Sequence, residues 1–371
     1  MKIKEITNLL EELAPLSNAE DFDNVGLLVG DYQTDVNGIL ISLDTLEEVV
    51  EEAINENCNL IISFHPIIFK GLKKINGKNY VERAILKAIK NDIAIYSMHT
   101  ALDNAYDGVS AKMCDVLDLR KKDVLIPKNN EILKLTTYIP KENAEKLLIA
   151  LHEAGAGSLG NYSESSFSFP GISTFKGNEN AKPTVGKKNE LQIKPETCIN
   201  VTFEKHKEKQ VLEALFKNHV YEEVAYEIIS LGNDNQKVGM GMIGELPIDL
   251  KEEQFLEYVA DKFDAKGVRF SNPTGKLIRK IAVLGGSGAF AIEAAKNAKV
   301  DAYISADFKY HDFFKAENQL ILIDIGHYES EQFTKNLLFD YLNEKFTNFA
   351  PALKAKLVIS KINTNPINYL K

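Results

Sequence analysis

Leu320-Ile-Leu-Ile-Asp-Ile-Gly-His-Tyr-Glu-Ser-Glu-Gln-Phe333 is the stretch from which the rest of the chain is read. Its apolar, β-branched first half is the pattern of a buried strand, and it stops at Gly326 with His327 next and Glu331 four residues on. The spacing of Phe333, Leu337, Leu338 and Tyr341 predicts a helix starting here, and residues four apart on a helix share a face. His327 and Glu331 would then offer an imidazole nitrogen and a carboxylate side by side, a chelate suited to zinc, manganese or iron. The plainer reading is a helix start with an acidic first turn, favoured by the helix dipole, and an incidental histidine. On this stretch alone the plainer reading carries more weight, and the neighbouring segments decide between the two.

Strands alternate with helices on either side. Upstream, residues 280–284 and 301–305 read as strands, Gly285-Gly-Ser-Gly288 as a tight loop and 289–298 as a helix. In the first third, an amphipathic helix with Ile3, Ile6, Leu9, Leu10 and Leu13 on one face precedes a turn at 21–26 and a short strand. Strands at 38–44, 59–63 and 92–98 follow, separated by helices at 45–56 and 81–91. This alternation implies βαβ units, hence an α/β fold with a mainly parallel sheet.

Four of these strands, ending near Ser63, Met98, Ser305 and Ile325, run directly into His or Asp: His65; His99 with Asp103; Asp307 with His311; and His327 with Glu331. In an open parallel sheet they would gather at the carboxyl edge, where such folds place ligands. Pro66 biases His65 towards an extended backbone at its strand end. Caps and turn formers explain any one of these ends, but four of them, holding four of the chain's seven histidines, favour a metal site. His152, His206 and His219 lack such partners and read as surface or packing residues.

Between about Pro127 and Met240 the pattern changes to extended runs near 133–139, 198–204 and 224–231, with helices near 142–154 and 207–218. The section 154–196 is rich in Gly, Ser, Asn, Thr and Lys and reads as a long loop. A β-α-β, loop, β-α-β order suggests a small α+β domain of ferredoxin-like topology. Because strand–helix alternation resumes afterwards, residues 127–240 would be inserted into a discontinuous core domain made of 1–126 and 241–371.

Composition sets the bounds. A chain of 371 residues has room for two or three domains. Net charge of -9 argues against wholesale binding to nucleic acid or an anionic membrane. The three cysteines, Cys58, Cys114 and Cys198, have no paired spacing, which fits a reducing compartment. No apolar run nears the roughly 20 residues of a membrane span, and the first helix has acids inside it, unlike a signal peptide. The protein therefore reads as cytoplasmic.

The segments Ser63-Phe-His-Pro-Ile-Ile-Phe69, His99-Thr-Ala-Leu-Asp103, Gly285-Gly-Ser-Gly288, Ala306-Asp-Phe-Lys-Tyr-His311 and Gly326-His-Tyr-Glu-Ser-Glu331 together resemble the dinuclear-metal-centre family. Its members are often labelled GTP cyclohydrolase 1 type 2 homologs and include the NGG1-interacting-factor-three-like proteins. Ala154-Gly-Ala-Gly-Ser-Leu-Gly-Asn-Tyr-Ser163 and His219-Val-Tyr-Glu-Glu223 extend the likeness to nearly the whole chain. The resemblance implies up to two divalent ions per chain, held by His65, Asp103, His327 and Glu331 with Glu331 bridging. It also implies a toroidal homohexamer and an insert similar to the PII and CutA proteins. Many members have two consecutive histidines before the proline; here Phe64 stands in the first position, so one ion is expected to lose a protein ligand. Ala306 and Val220 are smaller departures, from a usual Gly and a frequent Pro.

Paired ions bridged by a carboxylate suit hydrolysis of a phosphate ester, an amide or a purine ring. His99 and His311 are candidates for proton transfer and Asp307 for orienting a histidine, with structural support as the equal alternative for each. Lys70, Lys73, Lys74 and Lys78 read as a solvated loop or as a receiver of phosphate. Gly239-Met-Gly-Met-Ile-Gly244 has dinucleotide-fingerprint spacing, but Glu245-Leu-Pro247 follows where a helix should open. The Gly285–Gly288 loop could bind phosphate through its amides or serve close packing. The reading is thus a metal-dependent hydrolase acting on a nucleotide or related small molecule, against a metal chaperone or sensor, or a hexameric scaffold.

Overall fold

The runs at 38–42, 60–63, 94–97, 302–306 and 321–324 are buried throughout, and a strand with no polar side must be covered on both faces. In the computed structural model, which describes residues 1–158, 160–349 and 355–370, helices provide that cover. Leu159, inside the family-like stretch 154–163, lies outside the described residues. The chain divides into two compact units, Met1–Pro127 with Gln236–Lys371, and Lys128–Asn235.

The first unit opens with α1 (Ile3–Leu13), β1 (Gly26–Val29), β2 (Gly38–Ser42), α2 (Glu47–Asn55), β3 (Leu60–Ser63) and α3 (Tyr80–Lys90). It continues with β4 (Ala94–Ser97), α4 (His99–Asp103), α5 (Val109–Val116) and β5 (Arg120–Lys128). The second unit holds β6 (Ile132–Ile139), α6 (Lys141–Glu153), β7 (Ser166–Phe175), β8 (Gln192–Glu204), α7 (Glu208–Asn218) and β9 (Tyr226–Ser230). The first unit resumes with β10 (Asn235–Lys251), α8 (Glu252–Lys262), β11 (Arg269–Phe270), β12 (Leu277–Ser287) and α9 (Ile292–Asn297). It closes with β13 (Ala302–Ala306), β14 (Ile321–Asp324), α10 (His327–Glu331), α11 (Thr334–Phe349) and β15 (Lys356–Ile359).

Where alternation suggested one mainly parallel sheet, the first unit contains two mixed ones. The first has strand order β1-β4-β3-β2-β15, parallel from β4 to β15 with β1 antiparallel at its edge. The second has order β11-β14-β13-β12-β10-β5; β12, β13 and β14 run parallel, with β11 and β10 antiparallel beside them. Each forms its own sandwich. Ile39, Ile41, Ile62 and Tyr96 pack against Ile6 and Leu10 of α1 and Leu338 and Leu342 of α11. Leu40, Ile61 and Ile95 face Val50 of α2 and Ile85 of α3. In the second sheet, Ile281, Ile304 and Ile323 meet Cys114 of α5 and Phe255 of α8, while Tyr303 and Leu322 meet Ile292 of α9.

The second unit is a four-stranded antiparallel sheet in the order β7-β8-β6-β9. Leu135, Ile199 and Val201 on one face are covered by Leu147 and Leu151 of α6 and Val211 and Leu215 of α7. The section 154–196, expected as loop, contains β7 and the start of β8. The helix expected to run on from His327 is broken: α10 ends at Glu331 and α11 begins at Thr334. Between them Gln332 Nε2 donates to Phe263 O (2.7 Å) and the Phe333 ring packs edge-on against Phe263.

Candidate metal centre

Backbone bonding runs past the ends of β2, β3 and β4 and sets Asp44, His65 and His99 in a row. Phe64 N donates to Ser42 O (3.1 Å), His65 N to Leu43 O (2.9 Å) and His99 N to Phe64 O (3.0 Å). From the second sheet, Asp307 follows β13, while Gly326, at φ 95°, turns the chain from β14 into α10 with His327 and Glu331. His99 and Asp307 also have positive φ, 24° and 59°, a conformation that costs a non-glycine residue on the order of 1–3 kcal/mol and clusters at functional sites.

Each of three imidazoles is held at Nδ1 by a carboxylate: His65 by Asp44 (2.9 Å), His99 by Asp23 (2.8 Å) and His327 by Asp307 (2.7 Å). A carboxylate only accepts, so Nδ1 carries the hydrogen, and in the neutral ring Nε2 carries the lone pair. The Nε2 atoms of His65 and His327 lie 3.2 and 3.3 Å from the same atom, Glu331 Oε2. That oxygen is buried and makes no aligned hydrogen bond. Two lone pairs turned on a buried carboxylate oxygen are mutually repulsive unless a cation lies among them. His65, His327 and Glu331, whose ligand atoms all fall within 4.8 Å of one another, form a group that can hold a metal ion.

Asp103, at the end of α4, shares a cleft of about 220 Å³ with His99, His327 and Glu331. Burial, followed by the charge of Glu331, pushes its carboxyl well above the ordinary range, so a further positive charge is wanted there. Burial opposes ionisation of His65 and His327, yet their carboxylate neighbours outweigh it and hold them at about 10 and about 11. Burial likewise opposes ionisation of Glu331, but the His327 and His65 rings bring it down to about 2. Protons and a metal ion are thus alternative compensations for one oxygen.

The glycine loop serves close packing. A Cβ on Gly286, at φ 66°, would fall 2.4 Å from Glu331 Oε1, and one on Gly285 would fall 2.6 Å from Val109 Cγ1. The Gly286 amide is already committed to Ser330 Oγ (2.9 Å). Gly239–Gly244 lies inside β10, with no helix opening after it.

Of the residues singled out from sequence, His65, Asp103, His99, Asp307, His327 and Glu331 come together around this cleft. His311 stands on an exposed turn of 3₁₀ helix, its ring against Tyr310 and Phe314. Phe64 is fully buried, its ring centroid 4.9 Å from His65 and 5.6 Å from His99. Sequence reasoning passed over Asp23, Asp44 and Thr364, whose Oγ1 donates to Asp44 Oδ2 (2.5 Å). Asp44 could have been found, because it too closes a strand that runs into a polar residue.

The profile of the Duf34/NIF3 (NGG1p interacting factor 3) family matches residues 1–366. A Bacillus subtilis protein named GTP cyclohydrolase 1 type 2 homolog is 36% identical over 371 residues, covering 99% of this chain and 98% of its own. A relative of the same name from Listeria monocytogenes is 32% identical over 369 residues, 98% of each chain. The crystal structure of a Bacillus cereus protein related to NIF3 superposes with a TM-score of 0.86 at 35% identity, over 100% of this chain and 99% of that one. With residues 1–366 matched and relatives of this identity along the full length, the chain belongs to the Duf34/NIF3 family.

Proposed function

We propose that the protein is a metal-dependent hydrolase: His65, His327 and Glu331 would hold a divalent ion, and Asp103 would help to hold a second. The observation that carries this reading is the convergence of two carboxylate-anchored Nε2 atoms on the buried Oε2 of Glu331, which makes no aligned hydrogen bond. A divalent ion here would be zinc, manganese or iron by the mixed nitrogen and oxygen donors, and would activate water and offset oxyanion charge. The chain's own residues supply the rest. His99, anchored at Nδ1 by Asp23, presents its other nitrogen as a proton acceptor beside Asp103. Asp44 and Asp307 keep the two ligand rings in the Nδ1–H tautomer. Lys70, Lys73, Lys74 and Lys78 form no ion pair among the described residues, and Lys70 lines a second cleft of about 750 Å³ with His65 and Asp44. A phosphorylated substrate suits that combination.

The names of the relatives suggest GTP as the first substrate to try. We take 127–240 as the inserted ferredoxin-like, PII/CutA-like domain on its βαββαβ order, and a homohexamer as the working assembly. The test is turnover of GTP and a panel of nucleotides under zinc, manganese or iron(II), beside His327→Ala. Metal-dependent product formation abolished by His327→Ala, with unchanged sedimentation, supports the hydrolase. Stoichiometric metal binding without turnover of any panel member overturns it in favour of a metal carrier or sensor.

A further inference from the structure

The second unit contains a cavity that the metal centre does not use. The register pairs Gly171 with Glu196, Ser173 with Lys194, Phe175 with Gln192 and Tyr138 with Cys198. Opposed residues in a ladder share a face, so Ser173, Phe175, Glu196 and Tyr138 project from the face opposite α6 and α7. Tyr221, Glu222 and Ala225 add one wall and residues 177–185 another. The walls are latched together: Lys182 N donates to Glu222 Oε1 (2.6 Å) and Thr184 Oγ1 to Val220 O (3.0 Å). The space is about 300 Å³, enough for one small ring system.

Its polar groups specify the ligand. Glu196 is only 6% exposed; its Oε1 accepts from Tyr221 Oη (2.5 Å), and no cation pairs with it among the described residues. A buried carboxylate compensated by one neutral hydrogen bond is short of positive charge or N–H donors. Ser173 Oγ, in the same cavity, is buried without a hydrogen-bond partner. Phe175 and Tyr221, with ring centroids 6.4 Å apart, supply flat apolar surface. Glu222 and Glu223 line the cavity against one lysine, Lys176, a balance that repels phosphate.

We propose that this cavity binds a small flat ligand rich in N–H donors and free of phosphate, an aromatic amine or an amino-heterocycle. Its N–H groups meet Glu196 and Ser173, and its ring lies against Phe175 and Tyr221. The chain contains no tryptophan, so the fluorescence of tryptamine and of 2-aminopurine can be followed in its presence. The two probes separate a cationic amine from a neutral heterocycle. Saturable binding of either is expected, weakened about tenfold or more by Glu196→Gln, which keeps the Tyr221 contact but removes the charge. Ala225→Phe, at an exposed position lining the cavity, should abolish binding by filling it, and decides the matter if Glu196→Gln does not fold by circular dichroism. The triphosphate of 2-aminopurine riboside should bind more weakly than the free base. Absence of saturable binding by both probes, binding unchanged in Ala225→Phe or in folded Glu196→Gln, or tighter binding of the triphosphate would each overturn the proposal.

Discussion

Glu331 Oε2 is the central atom of the proposed centre, and Asp44 and Asp307, which do not reach it, orient the two imidazoles that do. Asp44→Asn and Asp307→Asn should each leave the fold intact and lower metal affinity about 10- to 100-fold, measured by competition with a chromophoric chelator. Unchanged affinity in both would mean that ring orientation does not matter here. Gly286→Ala strains a backbone at φ 66° and drives a methyl group towards Glu331 Oε1. A loss of about 1–3 kcal/mol in urea unfolding, together with weaker metal binding, is the expected result. Metal binding near pH 7 should release about two protons, because the folded chain holds His65 and His327 at about 10 and about 11, and calorimetry in buffers of different ionisation enthalpy counts them. In the chelated protein, the histidine contribution to stability is whole below the ordinary 6.5 and is lost as pH rises through 10 to 11. Glu331, lowered from 4.5 to about 2, contributes fully above 4.5 and loses that contribution as pH falls towards 2. The melting temperature of chelated protein should therefore decline on the alkaline side, and His327→Ala should flatten that decline. The gathering of His65, Asp103, His327 and Glu331 in one place was legible because each follows directly on an apolar strand pattern. Asp23 and Thr364 were not, because their partners His99 and Asp44 lie 76 and 320 residues away, a distance over which no periodicity operates.

At the level of elements, hydrophobic period located nearly every parallel strand, since a doubly covered strand is an unbroken apolar run. It could not tell which runs pair, so two sheets were read as one. The strand β7 escaped notice because the Gly- and Asn-rich section around it and Pro170 within it read as loop, while Phe167 and Ile172 remain exposed. The break after Glu331 was hidden as well, since Phe333 and Leu337 keep helical spacing across it; Phe333 instead packs on Phe263. The helix that follows the lysine loop offers a local check. Asn79 caps α3 by accepting from Glu82 N (2.9 Å), so Asn79→Ala should cost about 1 kcal/mol in chemical denaturation without altering metal content. A change in metal content would show that the loop between His65 and α3 is coupled to the centre.

For the whole molecule, a ligand that binds only the folded chain stabilises it by mass action, about 4 kcal/mol at a thousandfold excess over Kd. Chelation should therefore lower the melting temperature of the intact protein, and hydrogen exchange should quicken most around 63–66, 99–104 and 326–332, where the candidate ligands lie. The buried ring of Phe64 packs against both His65 and His99. The most direct measurement is metal content per chain by inductively coupled plasma mass spectrometry, on untagged protein prepared without chelator, beside a His327→Ala/Glu331→Ala control. At least one equivalent of zinc, manganese or iron, lost in the control, is the predicted result. No metal after reconstitution, or the same amount in the control, would contradict the centre proposed at His65, His327 and Glu331.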